Sequence, residues 1–74
     1  MLLCNANKND VLIVASVLGD SNTVLRLKNL GIEKGVKIKV VRALKNNKAM
    51  IISLLSKAVI LSYDAALLIG VSYA

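Results

Sequence analysis

Gly31 and Gly35 stand four residues apart, between a segment whose apolar residues recur at helical spacing and one whose apolar residues alternate. Both periodicities must stop and restart within this short interval, and that constrains the fold more than any other feature. Ahead of the glycines, Val24, Leu27 and Leu30 repeat every third residue with Arg26, Lys28 and Asn29 between them. This is the pattern of a short amphipathic helix. Gly31 falls where such a helix ends in a left-handed residue, a conformation that costs glycine little. Ile32 then folds back on Leu27, the apolar contact of a Schellman ending. Glu33-Lys34-Gly35 makes a second reversal, with Gly35 at positive φ. Beyond it, Val36, Ile38 and Val40 share one face of a strand, and Lys37, Lys39 and Val41 share the other.

The remaining elements follow from the same reasoning. Val11–Leu18 is a continuous apolar run of strand length, and it stops at Gly19-Asp20-Ser21-Asn22, which is turn chemistry. Ser21, Asn22 or Thr23 can cap the helix that follows. The strand after Gly35 runs over Val36–Leu44, and Lys45-Asn46-Asn47-Lys48 makes a hairpin-like loop. Met50–Leu55 and Ala58–Leu61 are further strands split by Ser56-Lys57. Asp64–Leu68 makes one helical turn. Ile69–Tyr73 is a last strand, with Gly70 marking a bulge or a close approach. The expected fold is mainly β: a small five-stranded barrel, closed or nearly so, with a short helix at Thr23–Leu30 after the first strand and a helical turn before the last. Seventy-four residues make a single domain, 1–74, with its core at about 11–73.

The chain is 57% hydrophobic but has only two aromatics, Tyr63 and Tyr73, so Leu, Ile and Val must fill the interior. Ala58–Ala74 has no Lys or Arg, but Asp64 interrupts it and it falls short of the ~20 apolar residues of a membrane span. Met1-Leu2-Leu3-Cys4 has no basic start and no room for the apolar region of a signal peptide. The expectation is a soluble cytoplasmic protein with no membrane insertion. The single cysteine, Cys4, excludes an internal disulfide and reads as a small hydrophobe.

Ten basic residues against four acids give a net charge of +6, and eight of the ten lie between Arg26 and Lys48: Arg26, Lys28, Lys34, Lys37, Lys39, Arg42, Lys45 and Lys48. Such clustering marks a partner of opposite sign, or simply the solvated faces of a strand and a helix. Groups for chemistry are scarce. There is no His, the commonest acid–base group and metal ligand. The four acids, Asp10, Asp20, Glu33 and Asp64, are scattered, and Cys4 has no histidine to activate it. Gly31-Ile32-Glu33-Lys34-Gly35-Val36-Lys37 mimics a phosphate loop only faintly, because its glycine spacing is one short and no lysine-serine pair follows. The residues therefore predict no enzyme, no cofactor and no tight ferrous, zinc or manganese site within this chain.

The stretch Arg26-Leu27-Lys28-Asn29-Leu30-Gly31-Ile32-Glu33-Lys34-Gly35-Val36-Lys37-Ile38-Lys39-Val40 resembles the signature of the FeoA family. That family shows an arginine-leucine start, a leucine-glycine-isoleucine step, a second glycine and an alternating strand. The resemblance runs from Val11 to Val71. It departs at Lys34, where the family often has proline, and at Ser56, where it often has glycine. Leu55, Ala58, Ser62 and Tyr63 stand where basic residues are usual. The resemblance implies an SH3-like barrel and a small accessory protein of bacterial ferrous iron transport, whose partner is the cytoplasmic region of a FeoB-type transporter. It is also close to the domain that ends some metal-dependent repressors, but no helix-turn-helix is present. The other functional class open to a small basic barrel is nucleic-acid binding, against which stands the lack of an aromatic among the basic residues. Two surfaces are candidates for docking. One is the helix and its following turn: Arg26, Leu27, Lys28, Leu30 and Lys34 around the turn-forming Gly31 and Gly35. The other is an outward apolar face at Ile51, Leu55 and Ile60, which strand parity brings together and which would equally serve a homo-oligomer.

Overall fold

The computed structural model describes residues 1–74, the side chain of Lys45 excepted. Five strands carry the fold: β1 (Val11–Val17), β2 (Lys37–Leu44), β3 (Ala49–Leu54), β4 (Lys57–Ser62) and β5 (Ile69–Tyr73). They form one antiparallel sheet in the order β4-β3-β2-β1-β5. Helix α1 (Ser21–Asn29) follows β1, and a single turn, α2 (Tyr63–Ala66), precedes β5. This is the expected small, mainly β domain, with the helix and the turn in the expected places.

The boundaries differ by one or two residues, each for a local reason. Helix α1 begins at Ser21 because its cap is Asp20, outside the expected trio: the Asp20 carboxylate accepts the Thr23 N–H at 2.8 Å. Val36 stands just ahead of β2 yet belongs to the ladder, since the Val14 N–H donates to its carbonyl at 2.9 Å. The loop expected at 45–48 is a 3-10 turn, Lys45–Asn47, followed by Lys48 at φ 52. Strand β3 ends at Leu54, so the turn between β3 and β4 is Leu55-Ser56 rather than Ser56-Lys57.

Register shifts between Val14 and Ser16 and between Val40 and Arg42 mark bulges in β1 and β2. Bulges increase local twist and bend the strand that carries them, which curls a five-stranded sheet around one core. Gly70 lies opposite the β1 bulge, where a Cβ would stand 2.5 Å from the Ser16 Oγ. It is the close approach, and the bulge is in the strand beside it. Among the described residues β4 and β5 are not paired, so the barrel is open along that seam.

Fifteen apolar residues are buried, and no polar or charged residue among those described joins them. Most come from the inward faces of the strands, such as Leu12, Val14, Ile38, Val40, Met50 and Ile52. Leu3 and Ala6 are also buried, so the core begins ahead of residue 11. Leu3 opens a 3-10 turn, Leu3–Asn5, that packs on α2 and β5. Just before it, Leu2 bridges to Gly70 and the Val71 N–H donates to the Met1 carbonyl at 2.7 Å. The N-terminal residues therefore cover the outer edge of β5.

The cap of α1 is open to direct test. The Thr23 backbone N–H, then the Thr23 hydroxyl, hold the Asp20 carboxyl below its ordinary value of 3.8, with a smaller contribution from Arg26. A depressed folded-state value means the cap stabilises the fold above the unfolded pKa, and the stabilisation is lost as pH falls through the folded value. Asp20→Ala should lower the melting temperature near neutral pH and have no effect once the carboxyl is protonated in both states. A melting difference that persists unchanged into strong acid would count against the cap.

Candidate functional site

The end of α1 has both hydrogen bonds of a Schellman motif. The Ile32 N–H donates to the Leu27 carbonyl and the Gly31 N–H to the Lys28 carbonyl, each at 2.9 Å. Gly31 has φ 95, and the accompanying apolar contact is made by Leu27 and Ile32, both core residues. Gly35, at φ 92, makes the second reversal, with the Val36 N–H donating to the Glu33 carbonyl at 3.1 Å. Both glycines thus act as the sequence pattern requires.

This geometry sorts the candidate residues. Arg26 and Lys28 are exposed in the last turn of α1, where positive charge complements the negative end of the helix dipole. Lys34 is exposed in the turn, and Leu30 is half-buried. Leu27 is different: only 3% exposed, it is a core residue and cannot meet a partner while the chain is folded. The same three-residue spacing that marked it as a helix contact also marks the helix face that packs inward. Leu25, 56% exposed, is the apolar residue of α1 that faces solvent. The signal was present, since Leu25 lies one residue off the Val24–Leu27 stripe and so about 100° around the helix.

The two candidate surfaces are not independent. A Cβ on Gly31 would lie 2.8 Å from the Leu54 Cδ1 and 3.9 Å from the Lys57 Cε. The β3–β4 hairpin therefore packs its end against the end of α1 and brings Lys57 beside Gly31. At its tip stands Leu55, 92% exposed and at φ 55. The grouping of Leu55 with Ile51 on one strand face is corrected here, because the strand ends at Leu54 and parity no longer applies. Ile51 is half-buried on the outer face of the sheet, between its cross-strand partners Arg42 and Ile60.

Beside the end of α1 runs a groove of about 380 Å³ between β1 and the helix. Val17, Val24 and Ile32 supply its apolar lining, and Lys28, Glu33 and Lys34 its charged part. Neither tyrosine is in α1, its following turn or the β3–β4 hairpin, so this surface has no platform on which bases could stack. Among the described residues no three His, Cys, Asp or Glu side chains come together as metal ligands. No helix is long and apolar enough to cross a membrane. An apolar groove with Lys28, Glu33 and Lys34 at its rim is suited to association.

Comparison with known proteins agrees with this geometry. The model of the FeoA domain matches residues 1–73. The fold is similar to the crystal structure of an iron uptake regulatory protein, FeoA, with a TM-score of 0.89 at 23% identity over 100% of this chain and 96% of that one. It is equally similar to the solution structure of FeoA from Chlorobium tepidum, with a TM-score of 0.89 at 25% identity over 99% of this chain and 70% of that one. A manganese-dependent transcriptional repressor contains the same fold as one of its parts, with a TM-score of 0.94 at 18% identity, all of this chain matching 36% of that one. No curated protein matches the sequence. With 73 of its 74 residues matched, the chain belongs to the FeoA domain family.

Proposed function

We propose that this domain is an accessory protein of ferrous iron uptake that docks on the cytoplasmic region of a FeoB-type transporter and biases its conformation or nucleotide cycle. Membership of a family associated with ferrous iron transport supports the pathway. The docking surface rests on one observation, Leu55. A leucine at positive φ is strained, and full exposure means that packing does not compensate for the strain. Such a residue at a hairpin tip is suited to entering a partner's apolar pocket. Lys37 and Lys39 share a shallow pocket with Leu55, and Lys57, beside Gly31, joins the hairpin to the end of α1, where Arg26, Lys28 and Lys34 are exposed and Leu30 is half-buried. An apolar centre within a polar rim is the usual anatomy of an interface, and the cations select an acidic partner.

Changing Arg26, Lys28 and Lys34 together to Glu should slow association with the transporter's cytoplasmic domain and remove its salt dependence. Glu at 26 and 28 opposes the helix dipole, so a matching Gln variant separates lost attraction from lost stability. If the folded Glu variant binds as tightly as the parent and supports iron uptake equally well, this surface is wrong.

Leu55→Gly separates stability from binding. Glycine relieves the ~1–2 kcal/mol cost of a left-handed side chain and gives back about half of it through unfolded-state entropy. The variant should therefore be slightly more stable than the parent and bind the transporter more weakly. A variant that gains stability and keeps full affinity would remove Leu55 from the interface.

A further inference from the structure

We infer that the free edge of β4 is a site for a second copy of this chain, joined antiparallel with Ile60 on the two-fold axis. The two edges of the sheet are treated differently. Met1 and Leu2 cover β5, whereas β4 has no strand beyond it among the described residues. Native edges are usually protected by proline, bulges or inward-pointing charge. Strand β4, Lys57-Ala58-Val59-Ile60-Leu61-Ser62, has no proline, pairs with β3 without a bulge, and has one charge, at its start.

The register shows which groups face outward. The Tyr63 N–H donates to the Lys48 carbonyl, which makes that pair hydrogen-bonded and alternates the bonded pairs along β4. Leu61, Val59 and Lys57 therefore bond to β3, while Ala58 and Ile60 direct their N–H and carbonyl groups to the open edge; Ser62 adds its N–H alone, because its carbonyl, as that of the N-cap of α2, serves the first turn of that helix. A two-fold axis at Ile60 uses the edge most fully: Ile60 meets the other copy's Ile60, and each Ser62 N–H meets the other copy's Ala58 carbonyl. Axes at Ala58 or Ser62 leave more of the edge unpaired.

Side chains fit the same register. Arg42, Ile51 and Ile60 are consecutive cross-strand partners on the outer face, and Ile60 is 70% exposed. Joining two copies makes a row of four isoleucines, with Arg42 at each end. The two arginines then stand five strand spacings apart, about 24 Å, which is several Debye lengths at physiological salt. The two Lys57 residues stand at opposite ends of the joined strands. The net charge of +6 on each copy slows encounter, so salt should strengthen this contact while it weakens a charge-steered one. An edge of this length buries little area, which points to a weak, concentration-dependent dimer.

Sedimentation equilibrium of the full chain, from micromolar to millimolar concentration at low and high salt, tests the site. The expected mass rises from 7.9 kDa toward twice that value with concentration, and rises further at high salt. Amide exchange at Ile60 and Ser62 should slow over the same range. Ile60→Lys should stay monomeric throughout, and its folding is checked by circular dichroism. Ile60→Thr keeps the strand and should weaken the dimer by an intermediate amount. A mass fixed at 7.9 kDa, or a dimer unaffected by Ile60→Lys, overturns the proposal. So does protection of the edge amides only when the transporter's cytoplasmic domain is added, which would assign the edge to a strand of that partner. Only this last outcome touches the transporter proposal, and it would move the docking surface rather than remove it.

Discussion

Gly31→Val is expected to destabilise the domain by about 2–4 kcal/mol, the sum of a left-handed backbone penalty and overpacking. Two observations together make Gly31 sensitive to substitution. Its φ of 95 lies in a region that β-branched side chains resist, and its missing Cβ is the space filled by the Leu54 Cδ1, 2.8 Å from where a Cβ would stand. Leu54 is 2% exposed and held by the core, so it has little freedom to retreat. Gly35 supplies the comparison. Its φ of 92 is nearly the same, but nothing lies within 4 Å of its Cβ position. Gly35→Ala should therefore cost only the backbone term, about 1–2 kcal/mol. Gly31→Ala should cost clearly more, and Leu54→Ala should recover part of the difference in a double-mutant cycle. For a chain of this size each kcal/mol lowers the melting temperature by roughly 4–8 °C, so urea and thermal melts will separate the two sites. Equal losses at Gly31 and Gly35 would mean that contact with the hairpin contributes nothing.

Gly31 also shows why much of the fold was legible in the sequence. A leucine-glycine-isoleucine step at the end of a helical repeat has few conformations open to it, and alternation from Val36 to Val40 has one reading. Where local chemistry is that restrictive, the elements follow. Where it is permissive, they do not. Four residues around the start of α1 can each cap a helix, and Asp20 prevails because its carboxylate reaches the Thr23 N–H. Positive φ predicts glycine or asparagine, so a leucine in that conformation at 55 defies the rule. That departure displaces the β3–β4 turn by one residue and takes Leu55 off the strand face that carries Ile51. Leu27 was ambiguous for a different reason: helical spacing identifies a face but not what the face meets. The contact between Gly31 and the hairpin joins residues far apart in sequence, and no local pattern reports it.

Leu3→Ala should cost about 2–5 kcal/mol, the range for emptying a buried leucine site. The sequence gives little reason to expect this, since three residues of 3-10 turn have no periodicity and the first clear strand begins at Val11. Yet Leu3 is 0% exposed and belongs to the same core as Leu12, Ile69 and Val71. It sits next to the seam where β4 and β5 fail to pair, in a 3-10 turn that packs on β5 and α2. The core has no Phe or Trp, and the one large side chain of α2, Tyr63, is already packed against it, so neighbours have little freedom to fill the cavity. A domain of this size has only about 4–11 kcal/mol of stability in all, of which this one side chain would remove a large share. Leu25→Ala on the exposed face of α1 is the control, and should change stability by no more than ~0.5 kcal/mol. Backbone pairing gives a second readout. The Val71 N–H donates to the Met1 carbonyl, so loosening the N-terminal segment should speed exchange of that amide before the rest of β5. If Leu3→Ala melts like the parent and the Val71 amide keeps its protection, the segment only covers the edge of β5, and the core begins where the alternating sequence begins.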